Sequence, residues 1–273
     1  LLVELVEGRV KHLEFDALPW SNAAISGWIL DPDRKKMSKS KGAVVTPIAL
    51  FDEFGSDAVR YWAASARLGT DAAFDTGQMK IGRRLAIKLL NASKFAISLG
   101  ATPGGTVTEP LDLAMLAQLS QAVGEATGGF EGYDYTRALD RSESFFWRFC
   151  DDYVELVKGR AYAEGAPAAS AKAALGLALS TLHRLFAPFL PFVTEEVWSW
   201  WQEGSVHRAP WPTTDGLPAG GDPALFDTAA QVLTEVRKAK TTAKRSLRAE
   251  VSSVVVTGPA AALDAARAAE ADL

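Results

Sequence analysis

A dense group of cationic side chains between residues 34 and 42 is the part of the sequence best suited to chemistry. The run Arg34-Lys35-Lys36-Met37-Ser38-Lys39-Ser40-Lys41-Gly42 contains five cations. Ammonium groups around a triphosphate stabilise the negative charge that develops when a carboxylate attacks the α-phosphorus of ATP and pyrophosphate leaves. Ser38 and Ser40 add hydroxyl donors, and Gly42 allows the backbone to turn. The run therefore indicates phosphate binding, with a solvated basic segment as the alternative.

The residues on either side of this run predict the elements that hold it in place. The apolar run 23–30 has a β-rich composition and ends at Asp31-Pro32-Asp33, which predicts a strand followed by a turn. Thr46-Pro47 predicts the start of a helix, and Ser56-Asp57 predicts the start of a second helix that Gly69 ends. The expected inner face of this second helix consists of Val59, Trp62 and Ala66. The cationic run is thus expected to connect a strand to two short helices.

Long helices with apolar residues at three- and four-residue spacing dominate the rest of the chain. They are expected over residues 77–99, 111–127, 135–163 and 168–186, with a break at Gly128-Gly129. The apolar face of the first would consist of Ile81, Leu85, Leu89, Ala92, Ala96 and Leu99. The stripe of the third would consist of Leu139, Phe146, Phe149, Tyr153 and Leu156. Short Gly- and Pro-rich connections make sequential helices pack side by side, so the predicted fold is mainly α, a helical bundle preceded by a strand and a loop.

The end of the chain predicts a basic helix. Residues 204–223 are rich in Gly and Pro and predict a surface loop before it, and the Val-rich run 251–256 predicts a short strand after it. The cationic stripe of this helix would consist of Arg237, Lys240, Lys244 and Arg248. Its apolar seam would consist of Val232, Val236, Ala239, Ala243 and Leu247. Like charges on one face repel one another, so an anionic partner and a solvated surface explain the stripe about equally well.

Composition and charge exclude several classes of protein. The chain has 273 residues, 48% of them hydrophobic, and a formal net charge of -4, so it can bury a core but is not a generic basic nucleic-acid coat. Any RNA must therefore bind to local patches. Cys150 is the single cysteine, and His12, His183 and His207 lie far apart, which argues against a disulfide or a metal site. No apolar run approaches the roughly 18 to 20 residues of a membrane span, and the predicted setting is cytoplasmic.

The central part of the cationic run carries a family resemblance. Lys36-Met37-Ser38-Lys39-Ser40 matches the signature of the class I aminoacyl-tRNA synthetases in all five letters. Residues 18–20 and 25–28 resemble the end of the nucleotide-binding domain of that family, and residues 51–62 resemble the helices that follow its lysine loop. The resemblance therefore covers both sides of the cationic run.

This resemblance implies a division of the chain into four segments. Residues 1–46 would end a Rossmann-like catalytic domain that carries the lysine loop, and residues 47–76 would be linker helices. Residues 77–223 would form a helical anticodon-binding domain, followed in residues 224–273 by the basic helix and the short β-prone segment.

The valyl subgroup of the family is the most similar. Gly69-Thr70-Asp71, residues 78–89 and residues 91–95 resemble its pattern, whereas residues 186–198 and 206–212 are shared across the branched-chain synthetases. The resemblance implies that the complete enzyme uses valine and ATP, with Mg²⁺, to form valyl-adenylate and transfers valine to the tRNA for valine. It also implies a monomer.

The same resemblance assigns roles within the cationic run. Lys36 and Lys39 would be the catalytic residues. The ATP-binding residues would be Lys36, Met37, Ser38, Lys39 and Ser40. No metal ligand is implied within this chain, and Mg²⁺ would arrive with ATP.

Class I enzymes also hold ATP from the other side, through a His-Ile-Gly-His type motif that this sequence does not contain. The uncapped apolar start at residues 1–6 predicts that further chain precedes it. The chain by itself is therefore expected to be inactive. Two alternatives stay open: a fragment of an isoleucyl- or leucyl-tRNA synthetase, and a non-catalytic tRNA-binding module.

Cations on exposed helix faces are the candidates for tRNA contact. They are Arg83, Arg84, Lys88 and Lys94 on the helix at 77–99, and Arg237, Lys240, Lys244 and Arg248 near the end. A solvated helix face would look similar. Trp147 and Trp198 are interpreted as core residues rather than as stacking platforms for unpaired bases.

Overall fold

A small parallel sheet and a series of α-helices make up the computed structural model, which describes residues 22–37 and 47–273. β1 (Ile29–Leu30) pairs in parallel with β2 (Ala72–Ala73). The α-helices are α1 (Pro47–Phe54), α2 (Ser56–Ala64), α3 (Thr76–Ser98), α4 (Pro110–Glu131), α5 (Tyr135–Arg148), α6 (Val154–Tyr162), α7 (Ala166–Phe186), α8 (Pro191–Ser199), α9 (Pro223–Thr242) and α10 (Ala260–Ala268). A π-helical turn, Phe149–Tyr153, joins α5 directly to α6. The predicted mainly α fold class is confirmed.

Several predictions concern residues outside the described part of the chain. They are the strand-like start at 1–6, the segment 18–20, Ser38, Lys39, Ser40, Lys41 and Gly42 of the cationic run, and Thr46 of the predicted helix start. Lys36 and Met37 are described. Within the described ranges, no helix has the length and hydropathy that a membrane crossing requires.

The strand predicted over residues 23–30 is only two residues long. Before β1 the chain approaches its neighbour through separate hydrogen bonds rather than a ladder, as where Gly69 N donates to Ile25 O over 2.9 Å. Gly27 makes this approach possible, because a Cβ atom there would lie 2.0 Å from the Thr70 carbonyl oxygen. Residues 23–30 therefore make close backbone contacts with the neighbouring segment, but only two of them form a regular strand.

Polar side chains start several of the helices. The Asp75 carboxylate accepts a hydrogen bond from Gly77 N over 2.7 Å at the start of α3. Asp134 and Asp222 cap α5 and α9 in the same way. Pro47 opens α1 as predicted. The Asp75 cap explains why α3 begins within two residues of its predicted start. α7 has no side-chain cap but carries Pro167 in its first turn, and it also begins and ends within two residues of its predicted positions.

The break predicted at Gly128-Gly129 is wrong, because α4 continues through both residues to Glu131. Glycine disfavours a helix interior, but here it makes room for the tight connection from α4 to α5. A Cβ atom at Gly129 would lie 3.0 Å from the carbonyl oxygen of Asp134. The glycine pair thus serves helix packing rather than helix termination.

The inner face predicted for α2 is also corrected. The helix ends at Ala64, before Gly69, and its buried residues are Asp57, Ala58 and Tyr61. The predicted residues Val59, Trp62 and Ala66 are only half-buried. The reason is that α2 contacts two apolar clusters: Tyr61 joins the main core, whereas Val59 and Trp62 pack against a smaller cluster around Phe54 and Met79.

The buried face of α3 is rotated relative to the prediction. Its buried residues are Met79, Gly82, Leu85, Leu89, Ser93 and Ala96. Ile81 is instead 38% exposed. Helices α2 and α8 both pack against α3, and their positions determine which side is covered. Apolar periodicity therefore predicted the position of the helix correctly but not all the residues of its buried face.

The main core is formed largely by α3 to α7. The stripe predicted for the third long helix is buried as expected, and it consists of Leu139, Phe146, Phe149, Tyr153 and Leu156. Trp198 is buried, and Trp147 is half-buried against the main core. Both indoles therefore lie in or against apolar clusters, in agreement with their interpretation as core residues.

A charged network lies inside this core. The carboxylate of Asp112 accepts two hydrogen bonds from the Arg160 guanidinium, at 2.7 and 2.9 Å. The same carboxylate accepts from the hydroxyls of Tyr153 and Ser170, at 2.8 and 2.7 Å. Arg160 also donates to Asp272 over 2.7 Å. This network links α4, α6 and α7 to the end of the described chain.

His183 on α7 is buried without a charged partner among the described residues. Its Nε2 shares a hydrogen bond of 2.8 Å with Ser93 Oγ on α3, and burial lowers the pKa of His183 to about 3. In the unfolded chain an imidazole titrates near 6.5, so acid protonates the unfolded state first. We expect the free energy of unfolding to fall by about 2 kcal/mol between pH 7 and pH 5 because of this residue. Urea unfolding at pH 7 and at pH 5 measures this change in the free energy of unfolding.

Two substitutions isolate the contribution of His183. His183→Leu removes the titrating group, and Ser93 Oγ still donates to Leu89 O, so the variant should lose less stability between pH 7 and pH 5 than the wild type. His207 is exposed, and His207→Gln is the matched substitution of a surface histidine. An equal acid loss in His183→Leu and the wild type would show that other groups cause it.

The end of the chain departs most from prediction. α9 ends at Thr242, so Lys244 and Arg248 lie beyond it, and the predicted cationic stripe is not continuous on one helix. The seam residues Ala239, Ala243 and Leu247 are exposed, so little packing energy holds a longer helix. Residues 251–256 are described but form no strand, and Val255 is 85% exposed. A strand needs a neighbour for its backbone groups, and none of the described residues pairs with this run.

Candidate functional site

A tight hairpin positions the first residues of the cationic run. Asp31 N donates to Lys35 O over 2.8 Å, and the Asp31 carboxylate accepts from Lys35 N over 2.7 Å. Arg34 has a left-handed φ of 61°, and Leu30 and Lys36 form an antiparallel bridge across the turn. The turn predicted at Asp31-Pro32-Asp33 is confirmed. It places the Lys36 backbone beside the end of β1.

The Lys36 side chain lies on an aromatic ring. Its Nζ is 4.0 Å from the centre of the Trp28 ring, which is a cation–π contact. Met37 follows and is half-buried. Of the five residues predicted to bind ATP, the described chain thus includes Lys36 and Met37, whereas Ser38, Lys39 and Ser40 lie outside it.

The base of this hairpin is attached to the helices that follow. Trp28 N donates to Asp71 Oδ1 over 2.8 Å, and Phe74 N donates to Leu30 O over 2.8 Å. The indole of Trp62 on α2 donates to Ala73 O over 3.3 Å. Lys36 is therefore held in register with α2 and the start of α3, although it is far from both in sequence.

Helix α2 is in turn attached to the bundle by groups that sequence reasoning missed. The Asp57 carboxylate accepts from the N–H groups of Phe192 and Val193, at 3.1 and 2.8 Å, so it caps α8 from a different helix. Burial raises the pKa of Asp57, and these two N–H groups oppose the shift. Arg60 donates to Pro188 O over 2.8 Å. Ser56-Asp57 was interpreted only as a helix start, because a cap supplied to another helix leaves no local signal.

The predicted cations of α3 fall into two groups. Arg83 donates to Glu53 O, and Lys88 forms a 3.0 Å ion pair with Asp151. Arg84 and Lys94 are exposed and contact no polar partner within the described residues. Sequence reasoning missed Lys80, which is also exposed and lies one turn before Arg84. Its four-residue spacing from Arg84 was a signal in the sequence that both cations lie on the same face of the helix.

The cations near the end of α9 also fall into two groups, those with partners inside the protein and those that are exposed. Arg237 is engaged internally, with Asp152 Oδ1 at 3.4 Å and the Asp151 carbonyl oxygen at 2.7 Å. Lys240 donates to Leu247 O over 3.1 Å. Beyond the helix, Lys244 adopts a left-handed φ of 52° and lies exposed with Arg245 and Arg248. We call residues 240–248 the basic turn, because this segment contains three of the four cations of the predicted stripe, Lys240, Lys244 and Arg248, together with Arg245.

Other kinds of site are poorly represented in the residues described. No cluster of three or more His, Cys, Asp or Glu side chains suited to a metal ion occurs within 22–37 and 47–273. Burial raises the pKa of Cys150 to about 12, so its thiol is not the nucleophile of a thiol enzyme at neutral pH. The candidate site consists of the cations on α3, in the basic turn and at the hairpin.

Comparison with protein families decides the relationship of the chain. Residues 112–256 match the family model described as the anticodon-binding domain of tRNA ligase. The chain belongs to this family. Residues 9–75 match the model of the class I tRNA synthetases for I, L, M and V, and this match includes the hairpin and the cationic run. The exact boundaries of the four predicted segments stay predictions.

Individual tRNA ligases are similar over most of the chain. A valine–tRNA ligase of Thermobifida fusca is 64% identical over 90% of this chain and 29% of its own length. The enzymes of Salinispora arenicola and Cutibacterium acnes, also valine–tRNA ligases, are 59% and 54% identical over 93% and 96% of this chain. The chain spans 29% to 32% of these relatives.

A solved structure supports the fold. The Agrobacterium radiobacter K84 agnB2 LeuRS, in its ternary complex with tRNA and LeuAMS, superposes with a TM-score of 0.59 and 23% identity. The match covers 70% of this chain and 24% of that one. At this identity the likeness concerns the arrangement of the helices.

Proposed function

We propose that this chain is the lysine-loop and tRNA-binding part of a valine–tRNA ligase, which attaches valine to its tRNA through valyl-adenylate. The observation that carries the proposal is the full five-letter class I signature in a chain 64% identical to a valine–tRNA ligase. The hairpin that presents Lys36 supports it. The complete ligase is further proposed to be monomeric and cytoplasmic.

The proposed chemistry explains why cations are needed at the hairpin. The valine carboxylate attacks the α-phosphorus of ATP, a new C–O–P linkage forms, and the bond to pyrophosphate breaks. Negative charge then increases on the leaving pyrophosphate. The ammonium groups of Lys36 and Lys39 would stabilise that charge more in the transition state than in the ground state. Mg²⁺ is expected to accompany ATP and to supply further positive charge.

The proposed tRNA contacts lie on α3 and in the basic turn. Arg83, Lys88 and Arg237 already have partners within the protein, so a phosphate would have to compete with those partners. The stronger candidates among the predicted residues are the exposed cations whose side chains bond to no described residue, namely Arg84, Lys94, Lys244 and Arg248, and Lys80 and Arg245 share this property. Local clustering of this kind suits a chain whose formal net charge is -4.

Amino-acid-dependent exchange of pyrophosphate with ATP, followed by charging of purified tRNAs, tests the proposal in the full-length ligase. We expect valine and the tRNA for valine to be preferred over isoleucine, leucine and their tRNAs. Preference for isoleucine or leucine would support those synthetases instead, and tRNA binding without exchange would support a non-catalytic module. The chain alone is expected to show no exchange, since it lacks the His-Ile-Gly-His type motif.

Neutralising the basic turn should weaken tRNA binding without changing which tRNA is preferred. The double variant Lys244→Ala/Arg248→Ala removes two exposed cations that make no ion pair with a described residue. For each tRNA phosphate that the variant no longer binds, the dependence of log affinity on log salt should flatten by roughly 0.7 to 0.9. Titration of the full-length ligase with tRNA at several salt concentrations measures both quantities.

The matched control for this variant is Lys158→Ala/Arg267→Ala. Each of these exposed cations already pairs with a carboxylate three residues earlier on its own helix, at 2.6 and 3.0 Å. The control changes the net charge by the same amount, so it should leave the salt slope near that of the wild type. If the two double variants behave alike, the basic turn is only a solvated surface.

A further inference from the structure

The contact between Trp28 and Lys36 follows from the hairpin geometry. Leu30 and Lys36 face each other across the turn, and Trp28 lies two residues before Leu30. Side chains two residues apart on an extended segment point to the same face, so the indole reaches the lysine diagonally. The Lys36 Nζ lies 4.0 Å from the centre of the ring.

The backbone of Trp28 is fixed on both sides. Its N–H donates to Asp71 Oδ1 over 2.8 Å, and its carbonyl oxygen accepts from Ala72 N over 2.9 Å. Gly27 allows this segment to lie directly against the Thr70 carbonyl. The ring therefore extends from a backbone that is hydrogen-bonded on both sides, whereas the lysine side chain has four rotatable bonds.

A cation–π contact affects a lysine differently from an ion pair with a carboxylate. Lys36 forms no ion pair with any of the described residues, so its charge is not neutralised, and an aromatic face attracts an ammonium group without competing for it as an anion would. Trp28 is itself 63% exposed, so it contributes little to the core. This combination orients a cation and leaves its charge available to a phosphate.

We propose that Trp28 is a positioning residue for Lys36, holding its ammonium group ready for the triphosphate. The inference rests on the proposed function of the cationic run. Without the ring, Lys36 would occupy many rotamers, so part of its stabilisation of the transition state would be offset by the entropy of ordering it. We expect the affinity for valine to be unchanged, because the proposed contact acts on the triphosphate.

The test compares four variants of the full-length ligase by valine-dependent exchange of pyrophosphate with ATP. Trp28→Leu should lower kcat by about two- to fivefold, the range expected for an exposed cation–π contact, with the KM for valine unchanged. Trp28→Phe keeps an aromatic face and should recover most of the rate. In the Lys36→Ala background, Trp28→Leu should cause no further decrease. Thermal unfolding of each variant checks that the fold is intact.

The results distinguish the positioning role of Trp28 from the proposed role of Lys36. If Lys36→Ala slows exchange but Trp28→Leu does not, the positioning role of Trp28 is overturned while the role of the lysine stands. The positioning role is also overturned if Trp28→Leu raises the rate, or if it slows Lys36→Ala as much as the wild type. If Lys36→Ala has no effect, the proposed role of the lysine fails together with that of the ring.

Discussion

Replacing Lys36 with alanine in the full-length ligase is expected to slow valine-dependent exchange of pyrophosphate with ATP about a hundredfold, or roughly 3 kcal/mol of transition-state stabilisation. The reason is that the ammonium group meets charge that develops only as pyrophosphate leaves. The affinity for valine should change little. Lys39→Ala is expected to have at least as large an effect, since the family resemblance assigns it the more direct contact with ATP.

Lys35→Ala is the matched control for this prediction. Lys35 has the same charge and lies in the same hairpin, where its backbone N–H and carbonyl groups both bond to Asp31. Its removal should therefore reduce the rate far less than removal of Lys36. If the two variants lose equal activity, or if Lys36→Ala weakens valine binding as much as it lowers the rate, a specific transition-state role is contradicted.

Replacing Asp112 with alanine should lower the free energy of unfolding by about 3 to 5 kcal/mol, the cost expected for removing one partner of a buried ion pair. Asp112 is 0% exposed and accepts hydrogen bonds from Arg160, Tyr153 and Ser170. The variant would leave the two hydroxyls without this acceptor and the guanidinium with Asp272 as its remaining carboxylate. Urea unfolding followed by helical circular dichroism measures the change.

Asp264→Ala is the control, because it removes an exposed carboxylate that pairs with Arg267 over 3.0 Å on α10. Solvent screens this pair, so the expected decrease in stability is about 0.5 kcal/mol or less. A similar decrease for Asp112→Ala and Asp264→Ala would mean that the buried network contributes no more to stability than a surface pair.

The sequence indicates phosphate chemistry for the cationic run because phosphate binding depends on residue types that are adjacent in the chain, and this role stays a prediction. It also predicted the long helices, since apolar spacing and caps such as Asp75 act within a few residues. It was wrong where a neighbouring element decides the outcome. Gly128-Gly129 continues a helix because α5 packs there, and α9 ends at Thr242, where the seam residues Ala239, Ala243 and Leu247 are exposed.

The sequence by itself thus determined the family resemblance, the fold class and which residues carry charge. Only the tertiary structure decided which of those charges are available. Lys88 and Arg237 meet carboxylates of Asp151 and Asp152, 63 and 85 residues away, and Asp57 caps a helix whose first turn is 135 residues further on. Hydrogen bonds and ion pairs of this kind form between groups that folding brings together, and no local pattern encodes them. For the same reason the sequence contained Trp28 and Lys36, but only the hairpin brings the Lys36 Nζ to 4.0 Å from the centre of the Trp28 ring.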